Sequence, residues 1–533
     1  MSSESESENP AGAGIFTSHF NGEVERGAAP SRVEILDTTL RDGEQTPGVA
    51  LTVEDKVRIA EALSELGVDV IEAGFAITSV GERQAVKRIG ALGLRSRVCS
   101  LARCTNQDID AVIECDLDYV HIFIATSEIH MKHKLKMSPS EVKAKAVESI
   151  EYAKAHGLTV EFSCEDATRT KLPFLKEMHV AAQEAGVDKI NMPDTVGTMS
   201  PPAMEYLVRQ VMPVTKVPLS LHCHNDFGLA VANSLAGVRF GARQVHVCVN
   251  GLGERAGNAA LEEVVLGLMA FYGIKTNVDA SRIGQVSKLV SNVTGFKVAD
   301  NKPIVGYNAF AHESGIHVHG VLRDPSTYEA FSPEMVGMQR HIVVGKHTGA
   351  HSVKEKLARY GIEVNDEELA KTVEQVKKLA ESGKHVDDAE LVALASHAMG
   401  QEGAERRIKL KEFGVFTGVN ITPTAVVAVE IDGDVRRGSM IGIGPVDAAV
   451  NAIKSVLKDK VSLEEYKLNA ITGGSDALCE VSVKMRLDTD GKVMSVGKSV
   501  GSDIVNTSVE ATIEAIDRLY VRKRNLGKEN IGK

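Results

Sequence analysis

The chain has 533 residues, 43% hydrophobic and 25% charged, which is ordinary globular composition over a length that calls for two or three domains. A formal net charge of -11, without a basic tract, excludes a protein whose main partner is a nucleic-acid phosphate backbone. Seven scattered cysteines exclude a disulfide scaffold, and no apolar run nears the ~20 residues a bilayer crossing needs, so a soluble cytoplasmic protein is expected.

Residues 1–31 open on SSESESENP and run through Gly- and Ala-rich sequence with no basic start or apolar core, so a disordered tail is expected rather than a secretory signal. From 32 to 276, short β-rich runs alternate with helical periodicity. Eight runs stand out, beginning at Val33, Val68, Arg97, Asp118, Leu158, Asp188, Pro218 and Gln244. Eight βα units over this length match an α/β TIM barrel, a (β/α)8 fold. Alternation alone leaves a doubly wound open sheet as the rival. The polar segments TLRDGEQTPG, EAGF, FSCEDATR, MPDTVG, HCHNDFG and NGLGERAGN each start at the carboxyl end of a different run, and only a closed barrel gathers those ends at one mouth.

Residues 277–412 read as a helical linker subdomain broken by the His-rich AFAHESGIHVHG and by GKHTGAHSV. From 413 to 533 the alternating runs TAVVAVEI, CEVSVKMRL and KVMSVGKSVG, with helical Pro445 to Leu457 and Ser508 to Leu519, predict an α+β domain of two ββα-like units around the turn ITGGSD.

Several residues can carry chemistry. His222 and His224 are two apart on a predicted strand, so both imidazoles face one side and can hold one metal ion, or they are ordinary polar residues of that face. Asp42 after the first strand adds a hard oxygen, and Asn258 after the eighth lies next to it if the barrel closes, giving a mixed set suited to Zn, Mn or Mg. Arg41 can bind a carboxylate or enolate oxygen bidentately, and Glu72 at the end of the second strand is its natural partner, either as a strand-tying ion pair or in catalysis. Glu165 can hydrogen-bond a bound acid, Asp166 can do so or cap a helix, and Thr195 offers a hydroxyl to a substrate carboxylate or caps a loop. His312, Glu313, His317 and His319, flanked by glycines, are denser than a solvated helix face requires and are expected to contribute to the active site. The loop NGLGERAGN lacks a Walker lysine, so nucleotide hydrolysis is rejected.

Taken in order, DTTLRDGEQTPG, VIEAGF, HIFIATSEIHMKHKL, FSCEDATRT, NMPDTVG, HCHNDFGLA, NGLGERAGNA and NAFAHESGIH resemble the motifs of the 2-isopropylmalate synthase family, which includes homocitrate- and citramalate-type synthases. The resemblance covers about residues 32–530. It implies one divalent cation on Asp42, His222, His224 and Asn258, a 2-oxo acid contacted by His121, Ser163, Glu165 and Thr195, and Arg41 held by Glu72 on the developing alkoxide. It assigns His317 and Tyr328 to acetyl-CoA activation and proton transfer, with loss of CoA by thioester hydrolysis driving the reaction. The small Ser163 leaves room for an isopropyl group, so 2-oxoisovalerate is the expected acceptor and pyruvate the runner-up. The carboxyl-terminal part resembles the family's allosteric domain, implying a homodimer with an amino-acid effector, or a dimerisation module without one. A carbon-carbon lyase and a non-catalytic amino-acid sensor are the other classes considered.

Overall fold

The computed structural model describes residues 14–24, 27–360, 362–381, 386–399, 407–470, 478–488 and 493–529. Eight short strands, β1 (Glu34–Asp37), β2 (Val70–Glu72), β3 (Arg97–Arg103), β4 (Tyr119–Ala125), β5 (Thr159–Glu165), β6 (Lys189–Asp194), β7 (Leu219–Cys223) and β8 (Gln244–Val247), pair in parallel in sequence order. β1 bonds to β2 on one side and to β8 on the other, with Leu36 opposite both Val70 and His246, which closes the barrel and rules out the open sheet. Helices cover the outside, so each strand is buried on both faces and reads as a continuous apolar run rather than an alternating one.

Local chemistry sets where each helix begins and ends. Thr52 and Asp55 form a reciprocal capping box at the start of helix Val53–Leu66, and Ser138 with Glu141 does the same for Pro139–Ala155. The first of these helices stops at Gly67, at φ +95°, where a Cβ would come within 2.3 Å of the Asn277 carbonyl oxygen, so only glycine fits.

By internal contacts the chain divides into two units. The first holds the barrel up to Phe310 together with Glu329–Arg340, and the second holds Ala311–Tyr328 with the chain from His341 onward. Helix Ile283–Thr294 buries Ile283, Val286 and Val290 in the barrel's apolar core, so the barrel unit extends past residue 276. The expected tail is also shorter at its carboxyl end: Ile15 is 4% exposed, pairs with Phe331, and is followed by a Phe16 N–H donating to the Ala330 carbonyl. Residues 1–13 lie outside the described residues.

In the second unit, helices Ala350–Arg359, Asp366–Glu381 and Asp388–Ala398 share an apolar cluster with Val344, Val386 and Val496. Two three-stranded antiparallel sheets follow, each closed by a helix. They are β11 (Ile408–Gly418), β12 (Ile421–Ile431) and β13 (Asp434–Ile441) with helix Pro445–Val456, then β14 (Val461–Ala470), β15 (Cys479–Leu487) and β16 (Met494–Gly501) with helix Ile504–Glu529. Each unit is therefore βββα, one strand more than expected, and the ITGGSD turn lies outside the described residues. The short strands β9 (Ala311–His312) and β10 (His341–Ile342) pair in parallel in this unit. Among the described residues no helix is long and apolar enough to cross a membrane.

Candidate active site

The carboxyl ends of the barrel strands meet over a cavity of about 270 Å³, lined by Arg41, Asp42, His121, Ser163, Glu165, Thr195, His222 and His224. Eight sequence-derived candidates from five strands thus share one space, as the closed barrel requires.

At its centre are three buried groups whose ligand-type atoms lie within 4.8 Å of one another: Asp42, His222 and His224. Asp42 Oδ2 is 3.1 Å from His222 Nε2 and 3.7 Å from His224 Nε2, and the two Nε2 atoms are 3.0 Å apart. Burial pushes both imidazoles down, His224 to about 4, so each is neutral at pH 7 with a lone pair to give. Burial opposes ionisation of Asp42, but the Arg41 guanidinium and the hydrogen bond with His222 hold its carboxyl well below the usual range. Asn258 joins the group from the Gly-rich loop, bridged to His224 through the backbone. That approach depends on Gly257, at φ +86°, where a Cβ would lie 1.9 Å from the Gly251 carbonyl oxygen.

Two oxygens test the set for a metal. Asp42 Oδ1 and Asn258 Oδ1 are buried without a hydrogen-bond partner, although the Asn258 amide nitrogen is engaged by the Leu252 carbonyl at 3.0 Å. Orphaned buried oxygens are costly unless something binds them. Two neutral imidazoles, a carboxylate and an amide oxygen are the donor types that a borderline or hard divalent ion takes, so the residues present fit one.

Behind the cluster runs a chain of short hydrogen bonds. Arg41 Nη1 donates to Asp42 Oδ2 at 2.9 Å and its Nε to Glu72 Oε2 at 2.6 Å. Glu72 Oε1 meets His121 Nδ1 at 2.6 Å, His121 Nε2 meets Ser163 Oγ at 2.6 Å, and the Asn191 amide donates to that same Oγ at 2.7 Å. Glu72 is wholly buried: burial would raise its carboxyl, but Arg41 and His121 bring it down to about 2. It lies behind Arg41 and His121 rather than on the cavity wall. At the rim, Glu165 is paired with Lys134 at 2.6 Å, and Thr195 Oγ accepts from the Asp166 backbone N–H, which leaves the Thr195 proton free to be donated.

Residues not anticipated from sequence complete the wall: the apolar Phe75, Leu101, Phe123 and Pro193, and the polar Gln45, Lys134, Asn191, Glu254 and Arg255. Arg255, at φ +56°, is clamped by Asp226 at 2.8 Å and 2.9 Å and reaches the Thr195 carbonyl and His224 Nδ1. HND and GERAGN held the signal for that clamp, since both follow strand ends of one barrel. His317 and Tyr328 belong to the second unit, where their rings stack at 4.1 Å and Tyr328 is 46% exposed.

A closed (β/α)8 barrel with an Asp-His-His cluster over its strand ends defines a barrel enzyme of the HMGL-like class, and the family described as HMGL-like matches residues 32–290. The homocitrate synthase post-HMGL domain-like family follows at 304–384 and the LeuA allosteric (dimerisation) domain at 385–520. A 2-isopropylmalate synthase of Methanocaldococcus jannaschii is 52% identical over 93% of this chain and 96% of that protein. An (R)-citramalate synthase of the same organism is 48% identical over 91% of this chain and 99% of its own length, and a putative (R)-citramalate synthase of Methanopyrus kandleri 49% over 93% and 98%. The chain belongs to the 2-isopropylmalate synthase family and is an acyltransferase.

Proposed function

We propose that the enzyme condenses acetyl-CoA with 2-oxoisovalerate to give 2-isopropylmalate and CoA, in the cytoplasm and as a homodimer. The observation that carries this reading is the cavity itself, in which Asp42, His222, His224 and Arg41 share one space with Phe75, Leu101, Phe123 and the small Ser163. A lining that mixes charged and hydrogen-bonding groups with Phe75, Leu101 and Phe123 suits a 2-oxo acid with a short branched tail.

A single divalent ion, held by Asp42, His222, His224 and Asn258, would supply Lewis acidity to the acceptor's carboxylate and ketone oxygens. The protein's own groups do the rest. Thr195 donates its free hydroxyl proton to the acceptor carboxylate. Arg41, aligned by Glu72, binds the ketone oxygen as it gains charge, and a guanidinium fixed before the reaction needs no reorganisation to do so. His121 and Ser163, locked to each other and to Glu72 and Asn191, hold the acceptor's inner end, and Glu165 contacts the acid at the rim. The family resemblance assigns the proton transfer to His317 and Tyr328: a proton leaves the acetyl methyl, the resulting carbanion forms the new carbon-carbon bond to the ketone carbon, and the ketone oxygen takes up a proton. Water then cleaves the thioester and releases CoA.

The second reading is a citramalate synthase that uses pyruvate. It is favoured by the two relatives of that name at 48% and 49% identity, and by the small size of the difference, since one methyl-scale change in an apolar pocket shifts selectivity by only ~1–3 kcal/mol. Free-thiol release from acetyl-CoA, with Mg or Mn and each of 2-oxoisovalerate, pyruvate and 2-oxoglutarate, separates them. Preference for 2-oxoisovalerate is expected; preference for pyruvate transfers the assignment, and no metal-dependent release with any acceptor overturns both.

A further inference from the structure

Lys56 is a buried cation that neither the metal cluster nor the acceptor contacts require. Its side chain is 2% exposed, on the helix that follows β1, and its ammonium is fully committed. It donates to the Leu40 carbonyl at 3.1 Å and to Glu82 Oε1 and Oε2 at 2.8 Å and 2.6 Å, and it lies 2.6 Å from Glu44 Oε2. Leu40 and Glu44 bracket Arg41 and Asp42 in the chain. Glu44 Oε1 also accepts from the Leu51 N–H, and so fastens the far end of that loop.

Glu82 carries the link to a second wall. Its Oε1 accepts from the Phe75 backbone N–H at 2.9 Å, and it reaches that position only because residue 74 is glycine, where a Cβ would sit 2.0 Å from the same oxygen. One ammonium therefore joins the loop that bears Arg41 and Asp42 to the loop that bears Phe75, from behind the cavity. A buried lysine between two half-buried carboxylates is a poor source of net stability, because its desolvation offsets much of the attraction, but it fixes geometry where two loops must keep register.

We propose that Lys56, with Glu44 and Glu82, is a positioning centre that sets the metal-ligand geometry of Asp42 and, through Phe75, the enzyme's choice of acceptor. The first half rests on the donor set alone, and the second on the acceptor reading given above.

The test uses the full-length protein with two variants, Lys56→Met and Glu82→Gln; the latter keeps side-chain volume and the Lys56–Glu44 pair, and decides alone should Lys56→Met fail to fold. Mn2+ affinity is measured by calorimetric titration without substrates, and kcat/KM is measured for 2-oxoisovalerate and for pyruvate. Mn2+ binding is expected to weaken about tenfold or more in Lys56→Met and measurably in Glu82→Gln, the size typical of groups that orient metal ligands. The ratio of kcat/KM between the two acceptors is expected to shift by about threefold or more in both variants, with the acetyl-CoA KM little changed. A lowered melting temperature with unchanged Mn2+ affinity and unchanged acceptor ratio makes Lys56 a structural residue only and overturns the proposal. Should the wild type turn over neither acceptor, the functional reading fails and the Mn2+ titration alone decides the positioning role.

Discussion

Glu72 serves both Arg41 and His121, and that double duty makes it the most sensitive single position behind the site. Glu72→Gln removes one of the two buried carboxylates closest to Arg41, leaving Asp42 as its remaining partner. Breaking such a pair from one side costs about 3–5 kcal/mol, read as a lower urea midpoint. Turnover is expected to fall at least about tenfold, since Arg41 and His121 both lose their alignment. Asp42→Ala removes a central donor and is expected to abolish both Mn2+ binding and thiol release; retention of either would take Asp42 out of the ligand set. Asp42, His222 and His224 could be picked out of the sequence because a strand's two-residue period and the strand-end rule place them without coordinates. Asn191 could not: it sits in an apolar run, and only the register that sets it opposite Ser163 reveals its hydrogen bond. Lys134 was hidden for another reason. It reaches Glu165 from a π-helical turn over Met131–Leu135, a local winding that composition does not announce.

At the level of elements, helix Leu172–Glu184 contains a pH-sensitive contact remote from the site. His179 is fully buried, and its Nδ1 lies 2.8 Å from Thr215 Oγ, whose own proton goes to the Val211 carbonyl, so Nδ1 is the donor. Its Nε2 has no partner, and burial pushes the imidazole down to about 4. The unfolded chain therefore binds a proton that the folded one refuses between pH 6.5 and about 4. Stability is full above pH 6.5 and falls as pH drops through that window, by up to about 3 kcal/mol from this group. Urea unfolding of His179→Gln against pH is expected to show a flatter acid limb than the wild type, and parallel limbs would exclude this histidine as the cause. The barrel strands were readable because parallel strands under helices are unbroken apolar runs. β11 and β14 were not, because each is an outer strand of its three-stranded sheet with many exposed or half-buried positions, so IKLKEFGVFTG and VSLEEYKLNA carry mixed polarity.

Across the whole molecule, an acyltransferase barrel is joined to a LeuA allosteric (dimerisation) domain, whose two βββα units expose Phe416, Val419, Ile441 and Ile443. Exposed apolar side chains of this kind are what the expected dimer would cover. Light scattering is expected to give a dimer mass, and leucine is expected to inhibit thiol release and to bind the full chain; a monomer, or leucine without effect on either readout, removes the corresponding half of that expectation. One divalent ion is expected on Asp42, His222, His224 and Asn258, with the acceptor bound beside it. The most direct measurement is an anomalous difference map from crystals grown with Mn2+ and 2-oxoisovalerate. A single strong peak is expected within bonding distance of Oδ1 or Oδ2 of Asp42, an imidazole nitrogen of each histidine and Oδ1 of Asn258, with the 2-oxo acid against Arg41 and Ser163. A peak elsewhere, or an acceptor bound away from these residues, would contradict it.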